Sequence, residues 1–176
     1  MSYYFSCFFV YSFLGCGLET LFALFNLGEL VARKTLLFFP LCPVYGLGAL
    51  AIILTTGKFS NKVWKVFVCG GLAATAVELF MDIFYRDLLG VPFWDYSDQY
   101  FNFGGRICVP FALAWGVLAV VMVKYIHPQI HKMIENIPVK VNMPVALIVV
   151  FDIVISCTLL ALFGDKTAID LSLYMQ

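Results

Sequence analysis

The sequence predicts an all-α protein: a multi-pass transmembrane helical bundle of about five spanning helices, with a re-entrant or lid-like segment between spans three and four. Three observations predict it. Hydrophobic residues make up 62% of the 176 residues and charged residues only 12%, against roughly 45–50% and 25% in soluble domains. Mean hydropathy is +0.94, more apolar surface than a soluble domain of this length hides, so lipid is the solvent for much of it. The apolar residues fall into five runs, each long enough for the roughly 20-residue helix that crosses a hydrocarbon core. Backbone in hydrocarbon must satisfy its own hydrogen bonds, and the ~10-residue alternation of a membrane barrel is absent, which leaves helices. The formal net charge of zero gives no reason to expect nucleic acid as a partner. The bilayer is the expected partner.

The first span is Tyr4–Phe25. No Lys or Arg precedes it, and it is longer than the roughly 7–15-residue core of a secretory signal, so it reads as a retained membrane helix. The others are Leu36–Thr56, Val63–Tyr85, Ile107–Ile126 and Met143–Phe163. No Pro/Gly/Ser-rich linker divides them, and residues 1–176 read as a single integral membrane domain. After the fourth span, Pro128 suits the first turn of a new helix. Ile126, Ile130, Met133, Ile134 and Ile137 form an apolar stripe away from His131, Lys132 and Glu135, the pattern of a short helix lying on the membrane. His127 and His131 stand four apart, but nothing nearby completes the four ligands of a closed metal site, so no metal and no cofactor are expected. The six cysteines lack CxxC spacing and mostly sit in apolar runs as small hydrophobes.

Orientation rests on the lysines. One side of the membrane carries Arg33, Lys34, Arg86, Arg106 and Lys166, the other Lys58, Lys62, Lys65, Lys124, Lys132 and Lys140. The three arginines lie beside acidic and aromatic residues and read as site residues rather than anchors. With them set aside, the lysines make the second side cytoplasmic, which puts the N-terminus in the cytoplasm of a cell-membrane protein.

In either orientation the polar residues gather on one side. Glu19 is in the far half of the first helix. Arg33 precedes the second, and Cys42–Gly46, with Tyr45, is early in it. Glu78, Asp82 and Arg86 lie in the far half of the third, spaced i, i+4, i+8 on one face. Charges inside a span survive by facing protein or a water-filled cavity and finding partners. Arg86 reaches Asp82 one turn away; Glu78, deeper, needs Arg106 or Arg33. Gly15 and Ala23, one turn either side of Glu19, let another helix approach. Between spans three and four runs WDYSDQYFNFGGR, Trp94–Arg106. Its aromatics, Trp94, Tyr96, Tyr100, Phe101 and Phe103, read either as an interfacial belt or as a lid over a cavity. Asp95 and Ser97 suit a turn cap, and Gly104–Gly105 a sharp bend returning Arg106 to the fourth helix. Structural ion pairs are the plainer account of any one of these charges; taken together, they suit a cavity for an anionic or zwitterionic molecule, since arginine forks match phosphate and carboxylate. Asp152, near the middle of the fifth span with Ser156 one turn on, is either a functional carboxylate or a protonated one hydrogen-bonded to a neighbouring helix.

Several stretches together resemble a known family: YSFLGCGLE (11–19), CPVYGLGA (42–49), WDYS (94–97), FNFGGRIC (101–108), Trp115–Gly116 and His127–Pro128. In their order and spacing they are similar to the ABC-transporter type IV, or CmpB-like, integral membrane proteins. The chain departs from that pattern at Cys16 and Gly104 and fits it poorly over 33–41. The resemblance implies a multi-pass membrane protein labelled a permease. It carries over Glu19, Cys42, Pro43, Tyr45, Gly46, Glu78, Trp94, Asp95, Tyr96, Ser97, Asn102, Gly105 and Arg106.

Three functions follow as expectations. The first is a permease-like subunit that binds or transports a small anionic or amphiphilic molecule through Glu19, Arg33, Tyr45, Glu78, Asp82, Trp94, Asp95, Tyr96, Asn102 and Arg106. The chain has no GxxxxGK[ST] loop, so a separate ATPase subunit or homo-oligomerisation would complete it. The alternative is an intramembrane enzyme on a lipid or small amphiphile, with Glu78 and Glu19 as acid and base. The third is a structural or regulatory membrane protein.

Overall fold

A computed structural model describes residues 2–28, 35–135 and 137–169. Its described residues are predominantly helical, with one short two-stranded hairpin. Four helices are long and apolar enough to cross a membrane: α1 (Ser2–Leu27), α3 (Val63–Leu88), α4 (Val109–Ile134) and α5 (Val139–Phe163). The shorter α2 (Pro43–Thr56) runs on into a 3-10 turn at Gly57–Phe59. Large apolar side chains such as Leu72, Leu147 and Leu162 stand exposed around the bundle, as they must where the solvent is hydrocarbon.

The second span is the main correction to the sequence reading. It was expected to be helical from Leu36, but residues 35–42 are irregular and the helix starts at Pro43. Two prolines explain the break. Pro40 and Pro43 each push the residue before them out of the helical region, and Cys42 sits in extended backbone at φ −116°, ψ 93°. Pro43 then fits the first helical turn, where its missing N–H removes no helical bond. The irregular run is deep within the bundle. Cys42 N–H donates to the Ser12 carbonyl at 3.0 Å, about halfway along α1. From there α2 packs antiparallel to α1, with Ala49 and Ile52 in the core beside Cys7.

Asp152 and Ser156 support this break. The Phe38 and Phe39 N–H groups donate to the Asp152 carboxylate, Phe39 at 2.9 Å and Phe38 at 3.1 and 3.3 Å to its two oxygens. Leu37 N–H donates to Ser156 Oγ at 2.8 Å, and the Ser156 hydroxyl donates back to Asp152 at 3.2 Å. Asp152 is 1% exposed. Its partner is therefore backbone that no helix satisfies rather than a neighbouring helix, and this is how non-helical chain is tolerated at membrane depth.

α1 and α2 cross closely at Gly46. A Cβ there would overlap the Ser12 hydroxyl and lie 2.7 Å from the Phe8 carbonyl oxygen. Only a hydrogen fits there, beside a Ser12 hydroxyl that has no hydrogen-bond partner among the described residues. Gly46→Ala should therefore cost about 1–3 kcal/mol by overpacking. Gly48→Ala, whose Cβ meets nothing within 4 Å, should be neutral or stabilising. Thermal unfolding of both variants in lipid nanodiscs checks this.

Two further boundaries differ from expectation. The fourth helix starts at Val109 rather than Ile107, because Ile107–Cys108 pairs with Asn102–Phe103 in a short antiparallel hairpin. It also continues through Pro128 to Ile134 instead of ending there. A wide π-turn at Met122–Ile126 ends two residues before the proline and takes up the register change its ring demands. Ile130 and Ile134 are consequently buried in the core with Cys7 and Tyr11, not laid on the membrane as a separate surface helix. His127 and His131 join the same contact: Tyr11 Oη is 3.0 Å from His127 Nδ1, and Tyr3 Oη is 3.3 Å from His127 Nε2 and 2.9 Å from His131 Nδ1. All six cysteines are described, and none forms a disulfide.

Candidate functional site

Two layers of polar side chains occupy the side of the bundle where α1 and α3 end. The deeper layer holds two carboxylates with neutral donors. Glu78 is 3% exposed and accepts from Tyr96 Oη at 2.8 Å and from the Trp115 indole N–H at 3.1 Å. Glu19 accepts from Tyr45 Oη at 2.6 Å. The two pairs meet through their rings, Tyr45 and Trp115 lying 5.2 Å apart between centroids. Tyr45 also packs directly on Gly15, the close approach that the small residues around Glu19 predict.

The outer layer is an ion-pair chain. Asp82, 1% exposed, lies between two arginines. Arg86 donates to its Oδ1 from Nε at 3.2 Å and Nη2 at 3.1 Å, and Arg106 donates to its Oδ2 from Nη1 at 3.1 Å. Arg106 also grips Asp87 with both terminal nitrogens, at 3.0 and 2.9 Å. The side chains of Arg86 and Arg106 are about a quarter exposed and that of Asp87 is half exposed. The expected Asp82–Arg86 pair is therefore present. The expected partner for Glu78 is not Arg106: that guanidinium sits one turn further out on Asp82, and phenol and indole donors fill the deeper position. Arg33 lies outside the described residues.

The connector between α3 and α4 closes over both layers, and its residues divide by direction. Trp94 and Tyr96 point inward. Arg86 donates to the Trp94 carbonyl at 2.8 Å, and the Trp94 indole donates to the Arg106 carbonyl at 3.0 Å. Tyr96 stacks on Phe111 at 4.5 Å and 24° on its way to Glu78. Burial first, and then the charge of Glu78, raise the Tyr96 pKa above the ordinary tyrosine range, so its hydroxyl is present as the donor. Tyr100, Phe101 and Phe103 are exposed, so these three suit the belt reading, while the first two turn inward onto the polar layers.

Asp95 and Asn102 shape the connector rather than face the carboxylates. Asp95 Oδ1 accepts from the Ser97 N–H at 3.0 Å and the Ser97 hydroxyl at 2.6 Å, bonds that hold its carboxyl below the usual range. The Asn102 amide donates to the Ser97 and Gln99 carbonyls, and its oxygen accepts from the Gly105 N–H at 3.1 Å. Gly105 has φ +70°, and a Cβ there would lie 2.5 Å from Asp95 Oδ1 and 2.6 Å from Ser97 Oγ. Only glycine fits that bend.

The site includes two residues that the reading of charges passed over. Trp115 was visible as an indole N–H within an apolar span, which needs an acceptor there. Asp87 follows Arg86 directly and was hidden by its neighbour.

Four helices of this length and apolarity, with a polar cluster at one end of the bundle, make this a multi-pass membrane protein. Residues 6–160 match the family described as "Putative ABC-transporter type IV", and the chain belongs to that family. Comparisons with curated proteins and with solved structures find no match.

Proposed function

We propose that the chain is the membrane-embedded subunit of a transporter, and that Arg106, under the cover of the 89–108 connector, binds the anionic group of a small amphiphilic molecule. One observation carries this reading: the Arg106 fork is closed by a half-exposed carboxylate. Asp87 presents two oxygens to Nη1 and Nη2, the bidentate geometry that a ligand carboxylate or phosphate would take. The other face of Arg106 is anchored on buried Asp82. An incoming anion therefore exchanges with Asp87 while Asp82 keeps the guanidinium aimed. On the outer face of α3 the apolar side chains of Phe80, Ile83, Phe84 and Leu88 lie beside Asp87 and suit the apolar part of an amphiphile.

Around this centre Asp82, Trp94 and Tyr96 position the cover, and Asp95 and Asn102 fix its turn. Glu19, Tyr45 and Glu78 form the floor, with Arg33 as a further basic candidate. In the cytoplasmic-N-terminus orientation favoured by the lysines, the site faces the extracytoplasmic side. A separate ATPase subunit or a second copy supplies the energy or the rest of the path.

The test is purification in lipid followed by mass spectrometry of co-purified small molecules. An anionic amphiphile should be present and should fall by roughly tenfold in Arg106→Gln. It should be retained severalfold better in Asp87→Asn, which removes the competitor. Equal ligand content in all three proteins would sink the exchange. Turnover of the molecule without nucleotide would replace transport by intramembrane catalysis.

A further inference from the structure

A cavity lies beside the break in the second span, and among the described residues its lining contains no carboxylate and no arginine. It measures about 210 Å³ and is not fully enclosed. Its walls come from every element around the break in the second span: Leu36 of the irregular run, Pro43 and Leu47 of α2, Met81 of α3, and Ile153 and Cys157 of α5.

We infer that this cavity is a binding site for one acyl chain of a bilayer phospholipid. Three observations lead there. First, the lining is almost wholly apolar. Of the hydroxyl-bearing residues in its walls, Thr35 and Tyr85, Thr35 donates to the Leu41 carbonyl at 3.2 Å, and nearby Asp152 and Ser156 are turned to the backbone N–H groups of residues 37–39. A water molecule needs two to four polar partners, so a lining like this excludes it. Second, the size is right for hydrocarbon. Apolar cavities of about 150 Å³ stay dry and take up benzene, and at about 30 Å³ per water-sized unit this one holds roughly seven. That is part of a chain, with the remainder lying in the bilayer. Third, two of the walls belong to α3 and α5, helices long and apolar enough to span the membrane, so the medium at the opening is itself acyl chain. An empty void would forfeit packing on each wall, whereas an entering chain restores it. The occupied site wedges the irregular run between α2, α3 and α5.

The experiment uses the full chain in nanodiscs of phosphatidylcholine bearing a diazirine in the distal half of one acyl chain, with crosslinked residues mapped after irradiation. Met81 is 5% exposed and out of reach of bulk lipid, so a crosslink there reports the cavity. The expected result is labelling of Met81, Ile153 and Cys157 that falls at least fivefold in Leu47→Trp. The lipid-facing controls Leu147 and Phe151 should change less than twofold. If Leu47→Trp does not accumulate folded protein, Ile153→Phe fills the cavity from the opposite wall and is read at Met81 and Cys157. No label at Met81 in the parent protein, or label that survives filling, overturns the site.

Discussion

Asp152→Ala should destabilise the protein by about 3 kcal/mol or more, a large effect for one substitution. The Phe38 and Phe39 N–H groups lose their acceptor at a depth where no water replaces it. A buried donor left without a partner costs about 1–3 kcal/mol, and two are orphaned at once. Asp152→Asn keeps one acceptor oxygen and should fall between the parent and the alanine variant. Ser156→Ala removes an acceptor of the Leu37 N–H and one donor to Asp152, leaves the Phe38 and Phe39 bonds in place, and should cost about 1–2 kcal/mol. Because the Ser156 hydroxyl bonds to Asp152, the double variant should be less than additive. Thermal unfolding in nanodiscs measures the loss. Faster hydrogen exchange at the Leu37, Phe38 and Phe39 amides would show where it arises. Parent-like stability in Asp152→Ala would mean that the irregular run is held by something other than this carboxylate.

This carboxylate shows what hydropathy can and cannot see. Length and apolarity locate α1, α3 and α5 closely, because a spanning helix satisfies its own backbone and needs nothing from its neighbours. The second span fails as a helix for the opposite reason: its first half borrows hydrogen bonds from a segment more than a hundred residues away. The warning signs were local. Pro40 and Pro43 are spaced so that neither Phe39 nor Cys42 can be helical, and a charged residue with a serine one turn on stood in the middle of the last span. Linking the two required the tertiary arrangement. The continuation of α4 past Pro128 was illegible for a related reason. A π-turn is a choice of hydrogen-bond register, and no residue type in Met122–Ile126 announces it.

The site was legible in its spacing and illegible in its pairings. The face shared by Glu78, Asp82 and Arg86 follows from helix periodicity, and the Asp82–Arg86 bond from adjacency on it. Charge matching suggests Arg106 or Arg33 for Glu78; Arg33 lies outside the described residues, and for Arg106 depth decides otherwise. Arg106 enters from the connector and stops at Asp82 and Asp87, while Tyr96 and Trp115 extend the less polar groups that can go deeper at lower desolvation cost. In the connector, Asp95 and Asn102 are candidate ligand residues, with a turn cap as the plainer role of Asp95. Their hydrogen bonds are almost entirely local, closing turns at Ser97 and Gly105, a use that short amide and carboxylate side chains share wherever the chain reverses.

Asp82→Ala should produce the other large loss, and its contrast with Asp87 tests whether Arg106 can serve a ligand. Asp82 is nearly inaccessible and receives three hydrogen bonds from two guanidinium groups. Removing one member of a buried ion pair typically costs about 3–5 kcal/mol. Here the arginines keep about a quarter of their surface in contact with solvent, and Arg86 retains the Trp94 carbonyl. A loss of about 2–3 kcal/mol is therefore expected. Combining Asp82→Ala with Arg106→Gln should cost less than the two changes separately, since the second removes a charge that the first leaves unpaired. Asp87→Asn faces water and should leave the unfolding temperature where it is. The same guanidinium thus has one carboxylate that fixes its position and another whose loss the fold does not register. That asymmetry is what a displaceable ligand requires. Were Asp87→Asn to unfold the protein as readily as Asp82→Ala does, both faces of Arg106 would be structural, leaving no exchangeable position for an anion.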